Sequence, residues 1–233
     1  MASETKVGIS IDIEAEGKQF GHLSVSHSRN DSGWGALHLP IVSIRNGDGP
    51  TVVLTGGNHG DEYEGPIALL KLVRTLVPSQ VSGRVIVIPA LNYAAVMGGA
   101  RVSPIDGVNM NRAFPGRRDG SVTEMIAHFV QHRILPGCDA LFDIHSGGKT
   151  MMFSPFACYH RLLDEELTRR ARNAVAAMAA PISLELVELD PEGMLDTAVE
   201  ELGKLFVGTE LGGGGTTTTA TVAIAETAVR NLL

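Results

Sequence analysis

Residues 51–65 read TVVLTGGNHGDEYEG, and the order of residue types in this stretch governs how the rest of the chain is read. Thr51-Val52-Val53-Leu54-Thr55 is an apolar, β-branched run, the pattern of a strand covered on both faces. Gly56-Gly57 interrupts it. His59-Gly60-Asp61-Glu62 comes next, and from Pro66-Ile67-Ala68-Leu69-Leu70 the apolar residues take up helical spacing. An imidazole and a carboxylate spaced H-x-x-E therefore sit in a strand-to-helix loop. In an open α/β sheet, that carboxyl edge of the strands is where sites are built. His59 and Glu62 suit two ligands of a catalytic zinc. The same letters also describe a solvated loop with an incidental histidine, because a two-residue match is weak. The remaining chain has to separate the two readings.

Working outward, the pattern predicts a helix over 65–77 ended by Pro78, and a buried strand at Arg84-Val85-Ile86-Val87-Ile88. Ser121-Val122-Thr123-Glu124 is a capping box that opens a helix to about 135. Ala140-Leu141-Phe142-Asp143-Ile144 is the next strand and runs straight into His145. Helices over 161–180, 194–202 and 217–233 and strands over 182–189 and 204–210 complete the alternation. Towards the N-terminus, Val7, Ile9, Ile11 and Ile13 alternate as in a strand with one wet face, and 38–44 reads as another. Residues 90–120 have no regular pattern, and a loop of that length in a compact domain is usually functional. The expected architecture is α/β in three layers, a mixed and mostly parallel sheet with helices on both faces, forming one domain over 1–233 with the strands of 1–50 packed onto it.

Composition narrows the function classes. The chain has 233 residues, 44% of them apolar, and a formal net charge of −7. It has no basic stripe, which argues against nucleic acid as a partner. No apolar run approaches the roughly 18–20 residues of a membrane span. The polar N-terminus, MASETKVGISIDIEAEGK, lacks the apolar core of a secretory signal. Two cysteines, Cys138 and Cys158, make no disulfide framework, and a cytoplasmic location is the simplest expectation. His22, His27 and His38 are scattered without acidic partners at ligand spacing and read as structural or surface residues.

A catalytic zinc needs three protein ligands and an open position. His145 is the best third candidate, since it ends an apolar strand and belongs at the same sheet edge. Asp143, two residues earlier, points to the same side and suits a carboxylate that orients the ring. Glu210 ends another strand before the run Gly212–Gly215 and suits the base that takes a proton from water and returns it to a leaving amine. The long loop offers Arg101, Asn109, Asn111 and Arg112, and arginine presents a planar fork matched to a carboxylate.

Taken in order, GGNHGDEYEG, NMNRAFPG, DIHSGG and TELGGGG resemble the succinylglutamate desuccinylase/aspartoacylase family, zinc amidohydrolases related to the zinc carboxypeptidases. PALNY, RVSPIDG and TELGGGG are most similar to the bacterial N-α-acetyl-L-2,4-diaminobutyrate deacetylases of ectoine breakdown. The resemblance covers the chain from about residue 40. It implies one Zn²⁺ held by His59, Glu62 and His145, with Glu210 activating water. It further implies that Asn111 and Arg112 hold the substrate carboxylate and that Arg101 polarises the scissile carbonyl. The partner it implies is a small N-acyl amino acid, and it leaves room for a homo-oligomer. It also implies a small β-rich domain after the catalytic one, and we expect that domain to be missing from this chain.

Three other functions share these letters. One is a deacylase of the succinylglutamate or N-acetylaspartate type. The second is a carboxypeptidase using the same metal set and clamp on peptides. The third is a non-catalytic ligand-binding protein on the same scaffold. A substrate with a side-chain amine should meet an acid, and Asp61, Glu64, Asp106 and Asp119 are equal candidates by spacing.

Overall fold

The computed structural model describes residues 5–233, so the first four residues of the polar N-terminal stretch lie outside it. In chain order the strands are β1 (Val7–Ile9), β2 (Gly17–Ser26), β3 (Ala36–Asn46), β4 (Thr51–Gly56), β5 (Gly83–Ile88), β6 (Ala140–His145), β7 (Phe156–His160), β8 (Ile182–Leu186) and β9 (Leu205–Glu210). The helices are α1 (Glu64–Thr75), α2 (Tyr93–Gly98), α3 (Val122–Phe129), α4 (Glu165–Met178), α5 (Leu195–Glu200) and α6 (Thr219–Leu232). All the strands join one sheet in the order β1-β2-β3-β5-β4-β6-β9-β7-β8.

Strand β4 is the apolar run of the opening stretch. It pairs in parallel with β5 on one side and β6 on the other, and β6 pairs in parallel with β9. The chain leaves β4, returns through α1 as β5, then crosses to the opposite side of β4 as β6. That reversal makes the gap between the carboxyl ends of β4 and β6 a topological switch point. Successive residues of these strands feed two cores, as the continuous apolar runs require. Leu54, Val85, Val87, Phe142 and Val207 pack with α1, α4 and α6. Val53, Ile86, Ile88, Leu141 and Phe206 pack with α3 and α5.

The sheet is mixed, parallel at its centre and antiparallel from β5 out to β1 and between β7 and β9. Several elements differ from the sequence pattern. Strand β1 stops at Ile9, because Asp12 turns the chain: its carboxylate accepts the Glu14 N–H at 2.9 Å and its carbonyl accepts Ala15 N–H at 3.2 Å. Strand β2 gives no periodic signal, yet all ten of its residues register against β3. Within 90–120 lie α2, whose Asn92 side chain accepts from Ala95 N–H at 3.4 Å, and a single 3-10 turn at Met110–Arg112. Helix α3 carries the expected Ser121/Glu124 capping box but widens after Phe129 into a π turn over Val130–Ile134. Among the described residues, no helix is long and apolar enough to cross a membrane.

Candidate active site

Three strand ends meet at the switch point. After β4 the loop doubles back through Gly57, at φ +65°, and passes so near α2 that a Cβ on Gly60 would lie 1.9 Å from the carbonyl carbon of Ala95. This close passage fixes the placement of His59 and Glu62. Strand β6 delivers His145 and β9 delivers Glu210, and the two are registered opposite each other.

The imidazoles and the carboxylate converge. Glu62 meets His59 Nδ1 with Oε1 at 2.8 Å and His145 Nδ1 with Oε2 at 2.9 Å, and its Oε2 also accepts Ser146 N–H at 3.1 Å. The outer ring nitrogens are held as well. His59 Nε2 lies 3.1 Å from Asn109 Oδ1, and His145 Nε2 lies 2.8 Å from Asp143 Oδ2. Asp143 is buried and saturated, taking Thr55 Oγ1–H at 2.7 Å and Asn58 Nδ2–H at 2.9 Å besides.

Each ring thus faces an oxygen acceptor with both nitrogens, whereas a neutral imidazole has one proton to give. The arrangement calls for a positive centre between the Nδ1 atoms and Glu62. The donor atoms of His59, Glu62 and His145 lie within 4.8 Å of one another, so the set could hold a metal ion. Two nitrogens and a carboxylate, with the outer nitrogens fixed by an amide and an acid, is a donor set suited to a catalytic metal.

The protonation of the protein alone reflects the same demand. Burial pushes Glu62 upward, but His145 and His59 outweigh it and hold the acid near 2. Burial lowers His145, but Asp143 and Glu62 raise it well above the ordinary imidazole range. Burial would raise Asp143, yet His145, Asn58 and Thr55 keep it below the usual carboxylate range. Glu210 goes the other way. Burial, with Glu62 and Asp143 adding to it against His145 and Arg101, drives it to about 8. Its Oε2 is buried without a hydrogen-bond partner among the described residues.

The remaining residues singled out from the sequence surround the same cavity, of about 300 Å³, which Arg101, Asn111, Arg112 and Glu210 line with the two histidines. Arg101 Nη1 donates to Glu62 Oε1 at 3.3 Å. Asn111 Oδ1 accepts from Asn58 Nδ2–H at 3.3 Å and Leu195 N–H at 2.9 Å. Arg112 donates from Nη1 to the carbonyl oxygens of Asp190 and Glu192, at 3.0 and 3.4 Å, and from Nη2 to the Asp190 carboxylate at 3.1 Å. Its fork already holds a carboxylate of the chain itself.

The four acids proposed to face a substrate amine are employed elsewhere. Asp61 accepts Lys149 N–H at 2.8 Å, Glu64 accepts Thr221 Oγ1–H at 2.9 Å, and Asp106 accepts Thr123 N–H at 2.8 Å. Asp119 pairs with Lys6. None of the four lines the cavity. The acids that do, besides Asp143 and Glu210, are Glu188 and Asp196, together with His160. Sequence reading missed them because it had no means of placing β7 antiparallel beside β9. Asn58 and the contact of Asn109 were missed too, although Asn58 adjoins His59 in the opening stretch and Asn109 stands two residues before Asn111.

Known proteins resemble the chain over most of its length. The profile of the succinylglutamate desuccinylase/aspartoacylase catalytic domain matches residues 48–233. An N-α-acetyl-L-2,4-diaminobutyric acid deacetylase of Halomonas elongata is 48% identical over 227 residues, covering 97% of this chain and 66% of that protein. The product-bound structure of the ectoine utilization protein EutE (DoeB) from Ruegeria pomeroyi superposes with a TM-score of 0.97 at 49% identity, over 99% of this chain and 70% of the other. A succinylglutamate desuccinylase from a Silicibacter species gives the same TM-score of 0.97, identity of 49% and coverage of 99% and 70%. The chain therefore spans about two thirds of the length of these relatives.

Proposed function

The chain belongs to the succinylglutamate desuccinylase/aspartoacylase family, and from that premise we propose that it hydrolyses the amide of an N-acyl amino acid, N-α-acetyl-L-2,4-diaminobutyrate, to acetate and 2,4-diaminobutyrate. The observation that carries this reading is the single cavity in which a His-Glu-His set, a carboxylate with an unpartnered oxygen and an arginine already gripping a carboxylate stand together. The substrate follows from the Halomonas elongata relative.

His59, Glu62 and His145 would hold zinc, which when bound supplies a Lewis acid for the carbonyl and lowers the pKa of water. A cation held by His59, Glu62 and His145 would draw the Glu210 carboxyl down from about 8, and in its ionised form Glu210 takes a proton from the attacking water on its free oxygen and passes it to the departing nitrogen. Arg101 donates to the carbonyl oxygen as negative charge develops there. Arg112 exchanges the Asp190 carboxylate for that of the substrate, with Asn111 beside it. Asp143 and Asn109 keep the two imidazoles turned to present Nδ1. Both cysteines are free, which fits a reducing cytoplasm.

Glu210→Gln tests the assignment, because it preserves shape while removing the base. Turnover of N-α-acetyl-L-2,4-diaminobutyrate should fall by about 10³-fold or more with zinc content unchanged, in keeping with the loss of a general base. Undiminished turnover would remove Glu210 from this role. Preferential release of C-terminal residues from short peptides would replace the deacylase by a carboxypeptidase.

A further inference from the structure

We propose that His160, Glu188 and Asp196 form a subsite for an alkylammonium group, which receives the side-chain amine of the substrate. The inference rests on the deacylase reading above only for the identity of that substrate.

The cavity reaches this cluster along β7 and β9. Phe156 is registered opposite Glu210 and Cys158 opposite Gly208, so continuing the register sets His160 against Phe206. The His160 and Phe206 rings stack, with centroids 6.2 Å apart. Phe206 stands four positions before Glu210 on β9, and both line the cavity. Gly208 lies between them and puts no side chain into the trough. From the other side, Glu188 comes from the segment after β8 and Asp196 from the first turn of α5.

The cluster is short of positive charge. His160 Nδ1 faces both oxygens of Glu200, each at 3.0 Å, which leaves Nε2 towards Glu188 Oε2 at 3.9 Å. Three carboxylates therefore share one imidazole. Asp196 is only 8% exposed, which decides the matter. Its Oδ1 accepts the N–H and hydroxyl of Thr197, at 2.5 and 3.2 Å, and its Oδ2 has no donor among the described residues although the side chain lines the cavity. The two arginines of the cavity are engaged with Glu62 and Asp190. Burial raises both Asp196 and Glu200, and His160, which burial lowers but the surrounding carboxylates raise overall, offsets this only in part.

An ammonium and a metal ask for different spacings. Zinc ligands at about 2.0–2.1 Å in a tetrahedron stand roughly 3.4 Å apart. Acceptors around an ammonium, at about 2.8 Å each, stand roughly 4.6 Å apart. The Nε2–Oε2 distance of 3.9 Å lies between the two spacings, so the count of zinc bound per chain is what decides between them.

The test is calorimetric binding of L-2,4-diaminobutyrate and of L-norvaline, in which a methyl group replaces the ammonium, to the zinc-loaded protein. Hydrolysis of their N-α-acetyl derivatives is measured in parallel. Diaminobutyrate should bind about 100-fold more tightly, and Asp196→Asn and Glu188→Gln should each cut that ratio by about tenfold or more, the loss of one charge-assisted hydrogen bond. Asn keeps the Oδ1 contact with Thr197, so the fold survives. Equal affinity for the two compounds in the unaltered protein overturns the subsite. So does an equal loss for both in Asp196→Asn, or a second equivalent of zinc that disappears with that substitution. A binding preference without hydrolysis of either acetyl derivative upholds the subsite and overturns the reaction instead.

Discussion

His59–Glu62–His145 and His160–Glu188–Asp196 use the same residue types, and each set brings its donor atoms within 4.8 Å, yet we read them as sites for different cations. The first is drawn tight. Its nitrogen–oxygen contacts are 2.8 and 2.9 Å, one carboxylate bridges two rings, and Asn109 and Asp143 fix the outer nitrogens. The second is looser, with a 3.9 Å gap and an oxygen without a donor. What distinguishes a metal centre from an ammonium seat in one cavity is therefore less the donor list than what stands behind the donors. An outer layer that locks both rings suits an ion with short, directional bonds. A ring of carboxylates around an open volume suits a group that brings its own protons.

The strongest challenge to this contrast is thermal unfolding with and without zinc. At about a thousandfold excess over Kd, zinc should stabilise the folded protein by about 4 kcal/mol, roughly 10 °C for a chain of this size. His145→Ala should abolish the shift and His160→Ala should keep it. A shift that follows His160 instead would reverse the two assignments. A smaller effect probes the outer layer. Asp143→Asn keeps an oxygen for His145 but withdraws the charge, and zinc affinity measured by chelator competition should fall about 10- to 100-fold. The least effect concerns Cys158, which stands between the clusters on β7. Burial, with Glu210 adding, pushes its thiol to about 12, and burial pushes Cys138 to about 11. Both thiols then stay protonated at pH 8, and iodoacetamide should label neither until the protein is unfolded, as mass spectrometry would show.

The same contrast explains what could be read from the sequence. His59 and Glu62 follow an apolar strand, and His145 and Glu210 each end one, so each announces itself by the apolar run before it. His145 after Ala140–Ile144 and Glu210 after Leu205–Thr209 are local signals, and the parallel centre of the sheet brings them together. His160, Glu188 and Asp196 give no such signal. They meet only because β7 runs antiparallel to β9 and the chain returns through β8 before α5, and long-range pairing of that kind has no local signature. Similarly, β2 is a strand because β3 lies beside it, its Gly, Lys, Gln and Ser residues carrying little preference of their own.

The segment between β8 and α5 has one property with a wider consequence. Arg112 grips it through the carbonyl oxygens of Asp190 and Glu192, Phe114 N–H donates to Gly193 carbonyl oxygen at 3.0 Å, and Asn111 accepts Leu195 N–H. These grips read main chain, and Arg112 adds a side-chain contact to the Asp190 carboxylate at 3.1 Å. Glu188 and Asp196 each accept a main-chain N–H as well, from Asp190 at 2.7 Å and Thr197 at 2.5 Å, so Gln and Asn at these positions keep the path of the segment while removing its charge. On our reading of the two clusters, selectivity and reaction reside on separate stretches of backbone, and a substrate with a different tail is met by exchanging two carboxylates on a segment whose main chain is already held in place.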